Sequence, residues 1–469
     1  MFFASDCAPA EAGCFTFGPA VTAKAADCLC NETLRSLWHG FTFRAGDLTT
    51  VPADGREFTI GAAPRPDTDG AEYAINVTET GVCIAADNDV GLIHGFITLL
   101  HRMRPVETED GTPRFELSCG VTRESAVIPR QMVHFCVFPE TELWEIEKFV
   151  RFCGALKYTH IVIEFWGMYR FECLRELSWP HAYTKEQLRP IMQMANDMGI
   201  EIIPMFNHWG HAAASRVMHG KHVVLDQDPS LWYLFTEDGW SWNISSPKVR
   251  ALMRQVRAEL MELCGEGQYF HLGCDEAYNV DVGETGEVLT DYLNEIAAEL
   301  AGSGRRPITW GDMLVCRHPE FNAGNNYTTF CRSPELERHL LSALDKRIII
   351  ADWQYSVKES PVETALVFRD AGFDVLLCPW DQRDSITPCV ETARDARLYG
   401  VLHTTWNTLT KGMPRVAQFA YEAWDPSGKK PDFVYIRTHA AAILRKAYDA
   451  GGIYERTGWA KQQISTITD

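Results

Sequence analysis

Asp275 and Glu276 are adjacent acids in the stretch His271-Leu272-Gly273-Cys274-Asp275-Glu276-Ala277-Tyr278. Two neighbouring carboxyls repel when both are charged. A site that keeps one ionised and one protonated divides proton transfer from charge stabilisation. Alone, such a pair is also what a solvated acidic loop contains. Its company raises its interest. Apolar runs elsewhere in the chain end in Glu164 and Trp166, in Asn207-His208-Trp209-Gly210-His211, in Trp310-Gly311-Asp312, in Asp352-Trp353, in Trp380-Asp381, and in His403 with Trp406-Asn407. Any one tryptophan is ordinary packing. Together they describe an aromatic-walled cup with acids and histidines, which suits a pyranose ring: C–H faces stack on indole and hydroxyls meet the polar groups.

Such residues converge only if the elements carrying them share a rim. The spacing predicts apolar strands over 132–138, 160–166, 200–207, 269–273, 307–310, 347–353, 375–379 and 401–406. Helices are expected between them, at 142–156, 184–198, from Ser246-Pro247 onward, and near 285–302, 334–344, 361–371, 388–398 and 413–424. Thr184 and Gln187 form a capping-box signature. Almost unbroken apolar strands are buried on both faces. Eight βα units over this length fit a (β/α)8 TIM barrel, with its chemistry at the C-terminal strand ends. Neither G-x-G-x-x-G after a strand nor a Walker A sequence is present.

The first 125 residues read as a small α+β domain. A strand is expected at 57–62, a hairpin at 73–78 and 82–86, a helix at 90–103 and a strand at 114–119. The segment before residue 55 has no clear pattern. The chain thus divides into an N-terminal α+β domain (1–125), a barrel (126–430) and a C-terminal helical extension (431–469).

Composition limits the partners. The chain has 469 residues, 46% hydrophobic and 23% charged, which excludes disorder as its main state. A net charge of -19 repels phosphate backbones and argues against nucleic acid as a partner. No apolar run approaches the roughly 20 residues that span a bilayer, and no signal peptide is recognised, so no membrane partner is expected. The 15 cysteines are odd in number, scattered and without a C-x-x-C, which points to buried thiols in a reducing cytoplasm.

The H-x-G-x-D-E pattern at a barrel strand end resembles the signature of glycoside hydrolase family 20, the β-N-acetylhexosaminidases, with Cys274 where the usual pattern has a second glycine. Ile202-Ile203-Pro204 through Gly210-His211 is similar to that family's third-strand segment, and Arg130 stands where the family has a sugar-gripping arginine. The altered glycine resembles the hexosaminidase D-like branch. The resemblance extends from about residue 55 to 425. It implies a retaining exo-β-N-acetylhexosaminidase that removes terminal β-linked GlcNAc or GalNAc. In that chemistry the substrate's own acetamido oxygen attacks the anomeric carbon and passes through an oxazoline, the exception to two-carboxylate hydrolysis. By resemblance Glu276 is the general acid and then base, and Asp275 orients the acetamido group. Arg130, His211, Trp310, Trp353, Trp380, Asp381 and Trp406 bind the sugar, with His271 and Asn207 in support. No cofactor and no metal are implied. The family often has a tyrosine where Trp380-Asp381 stands and Trp-x-Glu where Trp406-Asn407-Thr408 stands, which leaves the acetamido-oxygen donor and the gluco/galacto preference open.

Three alternatives stay open on the residues. One is a two-carboxylate glycosidase with Glu164 or Asp312 as the second acid. Another is an inactive sugar-binding barrel. The third is a metal site from the H-x-x-H spacings of His208, His211, His219 and His222. Linkage, aglycone and oligomeric state are not readable from these residues.

Overall fold

In a computed structural model, residues 13–213, 223–278, 280–281, 283, 286–321, 331–406, 409–425, 427–428 and 432–448 are described. The N-terminal region runs β1 (Cys14–Phe17), β2 (Val21–Ala25), α1 (Glu32–Phe41), β3 (Leu48–Pro52), β4 (Glu57–Gly61), β5 (Tyr73–Thr78), β6 (Gly81–Ala86), α2 (Asp89–Arg102), β7 (Arg104–Val106), β8 (Arg114–Ser118) and β9 (Gly120–Glu124). Six of its strands form one sheet in the order β3-β2-β4-β6-β5-β9, and β1-β8-β7 form a second. The expected hairpin is β5–β6, paired from Tyr73↔Ala86 to Thr78↔Gly81.

The barrel follows: β10 (Gln131–Val137), α3 (Leu143–Ala155), β11 (His160–Phe165), α4 (Lys185–Asp197), β12 (Glu201–Met205), α5 (Val224–Gln227), α6 (Pro247–Cys264), β13 (Tyr269–His271), α7 (Glu287–Gly302), β14 (Arg306–Trp310), α8 (Pro334–Ala343), β15 (Ile349–Trp353), α9 (Glu363–Asp370), β16 (Asp374–Cys378), α10 (Arg383–Asp395), β17 (Gly400–Thr405) and α11 (Leu409–Trp424). Strands β10 to β17 close on themselves in chain order, all parallel, with β17 paired back to β10. This is the expected (β/α)8 barrel. Met132, Val162, Ile203, Ile308, Ile349 and Leu402 belong to a buried cluster of their own among the strands, separate from the larger core, as in a filled barrel interior. The capping box at Thr184 and Gln187 forms, and Pro247 opens α6.

Two features join the regions. Lys157, fully buried after α3, donates from Nζ to Tyr73 Oη (2.9 Å) and Thr98 Oγ1 (3.1 Å), lies 3.6 Å from Glu124 Oε2, and sits 3.3 Å from the Trp424 ring centre. The last described helix, α12 (Phe433–Ala447), packs on α1, α3 and α11. A Cβ on Gly40 of α1 would lie 1.8 Å from Lys446 O, so the helix backbones touch there.

Candidate active site

The turn after β13 is built from backbone conformations that L-residues resist. Gly273 has φ +67°, and a Cβ there would press on the Asn207 amide at 2.9 Å. Cys274 (φ 70°) and Glu276 (φ 46°) share the left-handed region, as does His211 (φ 56°) on the loop after β12. Each such residue costs on the order of 1–2 kcal/mol, and such strain concentrates at functional sites. The φ of Cys274 is the physical reason a glycine suits that position. The β12 and β13 loops also meet backbone to backbone: a Cβ on Gly210 would lie 2.0 Å from Asp275 O.

This packing brings three side chains together. His211 Nε2 lies 3.3 Å from Asp275 Oδ2 and 3.3 Å from Glu276 Oε2. Asn207 Nδ2 donates to Asp275 Oδ1 at 3.0 Å, and Asn207 O in turn accepts from Trp242 Nε1 at 3.0 Å. Trp240 Nε1 donates to Glu276 O at 2.6 Å, and its ring stands 4.6 Å from that of His211. Glu276 N donates to Asp312 Oδ2 at 2.9 Å.

The acids do not share one protonation state. The hydrogen bond with His211 outweighs burial and holds the Glu276 carboxyl below its ordinary range. Burial first, then the negative charge of Asp275, pushes Asp312 well above its own. The split between an ionised and a neutral carboxyl that the adjacent pair suggested therefore lies between Glu276 and Asp312. A neutral Asp312 that accepts the Glu276 amide is poorly placed to be a nucleophile. Glu164 is enclosed in the barrel, where its Oε2 accepts from Trp166 Nε1 at 2.8 Å and lies 3.5 Å from His134 Nε2.

Aromatic walls rise beside the acids. Trp310 is buried, 4.4 Å from the His271 ring and 6.1 Å from Trp406. Trp353 stacks on Tyr355 at 5.0 Å, and Tyr355 meets Trp380 edge-on at 5.3 Å. Trp406 Nε1 donates to Tyr355 Oη at 2.8 Å. Asp381 follows Trp380, and its carbonyl accepts from Arg415 Nε at 3.0 Å. The structure thus gathers Asn207, His211, Asp275 and Glu276 in one cluster, and Trp353, Trp380 and Trp406 around Tyr355.

Arg130 is a correction. It precedes β10, at the N-terminal end of the barrel, with its guanidinium 3.8 Å above the Tyr399 ring and Nη1 donating to Tyr399 O at 3.4 Å. A strand that starts at Gln131 and ends at Val137 separates it from the rim. His271 is buried at the end of β13, where its Nδ1 accepts from Gly273 N at 3.1 Å, so it braces the turn. His208 Nδ1 lies 2.6 Å from Phe206 O, while His211 faces the acids. His219, His222, Asn407 and Thr408 lie outside the described residues. Trp240 and Tyr355 were not foreseen. Trp240 sits on a loop with no strand end beside it, in Gly239-Trp240-Ser241-Trp242, and Tyr355 is two residues past the rim of β15.

A closed parallel barrel with a clasped carboxylate pair where its fourth strand ends defines the class: a (β/α)8 barrel equipped for carboxylate chemistry. Residues 162–382 match the family model described as "Glycosyl hydrolase family 20, catalytic domain". That segment, 221 of the 469 residues, is similar to the catalytic domain of that family. Hexosaminidase D of Bos taurus is 26% identical over 177 residues, which are 34% of this chain and 48% of that protein, so the match spans about half of the relative's length. Two solved structures share the fold. A GH20 exo-β-N-acetylglucosaminidase from Vibrio harveyi in complex with N-acetylglucosamine has TM-score 0.66 at 16% identity, covering 93% of this chain and 75% of its own. A mutant Streptomyces plicatus β-hexosaminidase in complex with GlcNAc has TM-score 0.64 at 14% identity, covering 96% and 93%.

Proposed function

We propose that this protein is a retaining exo-β-N-acetylhexosaminidase that releases terminal β-linked GlcNAc or GalNAc by substrate-assisted catalysis. The observation that carries the reading is the clasp of Asp275 and Glu276 on the single nitrogen His211 Nε2, at 3.3 Å from each. Asn207 holds Oδ1 of Asp275 and His211 stands against Oδ2, which fixes the carboxylate to orient an acetamido N–H and stabilise the positive charge that develops as the acetamido oxygen attacks. Glu276 gives its proton to the leaving oxygen, then takes one from water. Ionised as it stands, Glu276 suits the second half. Its proton for the first half is restored when a bound sugar displaces water and weakens the charged form. Trp353, Trp380 and Trp406 flank the sugar. Fourteen free cysteines among the described residues favour a reducing, cytoplasmic setting. No described helix is long and apolar enough to cross a membrane.

A panel of p-nitrophenyl β-glycosides tests the reading. GlcNAc and GalNAc glycosides turn over, and glucose and galactose glycosides are far slower. A thiazoline mimic of the oxazoline inhibits tightly, as ligands resembling the transition state do. Equal rates on the glucoside and the N-acetylglucosaminide refute the substrate-assisted mechanism.

A further inference from the structure

Residues 311–333 separate β14 from α8, a long connection. One cluster ties its described ends to the helix. Cys316 Sγ lies 3.5 Å from His318 Nε2, and His318 Nε2 lies 2.9 Å from Glu337 Oε2 in the first turns of α8. One ligand atom from each lies within 4.8 Å of the others. Cys331, on the far side of the loop, packs in the same small buried cluster as Cys316. The Cys316 thiol, an imidazole and a carboxylate therefore meet where the loop returns to the helix, with the Cys331 thiol in the buried cluster beside them.

We propose that Cys316, His318, Cys331 and Glu337 form a structural zinc site that staples the β14–α8 loop to α8. Mixed sulfur, nitrogen and oxygen donors in a four-ligand set select Zn²⁺ among common divalent ions. Tetrahedral zinc at ordinary bond lengths sets sulfur and nitrogen about 3.6 Å apart and nitrogen and oxygen about 3.4 Å apart. The first spacing is already present, and the second needs His318 and Glu337 to part by about half an ångström. The surroundings resemble a metal's outer shell. His318 Nδ1 faces Glu320 Oε1 at 3.4 Å, so a carboxylate stands behind the imidazole, and Cys316 N donates to Glu337 Oε2 at 2.8 Å. The other His/Cys/Glu group, His134, Cys136 and Glu164, is enclosed in the barrel, and its carboxylate already accepts from Trp166. Binding releases the thiol protons to solvent as the two Zn–S bonds form. The site is independent of the hydrolytic reading, since neither Asp275 nor Glu276 belongs to it.

The test uses the whole chain, expressed with added zinc, gel-filtered and analysed for metal. Wild type carries about one zinc per chain, and the Cys316→Ser/Cys331→Ser variant loses it. Cobalt(II) exchange gives thiolate-to-cobalt absorption in wild type and none in that variant. If the double variant does not fold, Glu320→Gln, which touches only the back of His318, weakens zinc affinity by about 10- to 100-fold. The proposal is overturned by wild type without stoichiometric zinc, by full zinc retention in the double variant, by unchanged affinity in Glu320→Gln, or by a Cys316–Cys331 disulfide in the purified protein. An Asp275→Asn protein that keeps its zinc but not its activity separates this site from the catalytic one.

Discussion

The two ends of the barrel use the same strands for opposite purposes. At the C-terminal end, His211, Cys274 and Glu276 hold left-handed backbone, two carboxyls flank one imidazole, and a third, that of Asp312, accepts from the Glu276 amide. At the N-terminal end, Arg130 lies flat on Tyr399, whose hydroxyl meets Tyr269 Oη at 2.7 Å, and Arg306 stands 5.3 Å from the same ring. Lys157 is close by in sequence to β11 and takes its partners from the N-terminal sheet. One end holds charge in strained, half-open positions, as a reacting centre requires, and the other neutralises it by stacking and pairing. Polar residues at a barrel end are thus not equivalent: where they sit along the strand separates chemistry from stability.

The largest expected break between the ends is catalytic. Glu276→Gln lowers the rate on substrates with poor leaving groups by about 10²- to 10⁴-fold and spares an aryl glycoside with an acidic phenol. Asp275→Asn slows both kinds by similar factors, because under the proposed mechanism every substrate shares the acetamido attack. Arg130→Ala leaves kcat/KM near wild type and lowers Tm only slightly, for a loss of about 0.5–1 kcal/mol. An Arg130→Ala protein with a greatly raised KM would return that residue to the sugar site.

Next in size is the closed end. Lys157→Ala leaves the half-buried Glu124 beside Tyr73 without its ammonium, and such a break costs up to about 3–5 kcal/mol. Denaturant unfolding measures it, while kcat at low temperature stays close to wild type. Burial lowers the Lys157 pKa to about 8, so from about pH 8 up to its unfolded value near 10.4 the unfolded chain binds more protons. Lys157 therefore adds stability as pH rises through that window. A Lys157→Met protein lacks this rise.

A smaller effect sharpens the open end. His211 is the main cause of the lowered Glu276 pKa. A general acid works only while protonated, so its pKa sets the alkaline limb of kcat/KM in the free enzyme. His211→Ala raises that pKa and moves the limb to higher pH, while lowering the maximum. A limb that stays in place would detach His211 from Glu276. Smallest of all, Cys274→Gly relieves the left-handed strain but loses a buried thiol and loosens the unfolded chain. The net change is within about 1 kcal/mol, whereas Cys274→Val destabilises by more than that.

Much of this was legible in the residue pattern. All eight barrel strands fall within about two residues of their expected ends, because strands buried on both faces announce themselves as apolar runs. Helices α10 and α11 begin at Arg383 and Leu409, ahead of their expected starts near 388 and 413. Pro388 and Pro414 each stand sixth in their helix, beyond the first turn that best tolerates proline. The segment before residue 55 hid two strands, a helix and a third strand. Its strands are only four or five residues long, and polar positions interrupt them. At the candidate site, the clustering of Asp275, Glu276 and His211 was readable because all three follow the ends of barrel strands. The same rule places Arg130 on the wrong end, since it precedes its strand. Trp240 and Tyr355 lie beyond the strand ends, and only the folded loops bring them in.

The contact of Gly40 with Lys446 has a kinetic meaning. The first and last described helices touch, yet nearly the whole described chain lies between them. Contacts of such high sequence separation form slowly, and they must wait for synthesis to reach α12. Until then the faces of α1 and α3 that α12 covers are open to water. Before α12 docks, sheet and barrel have the Lys157 junction but not this second fastening.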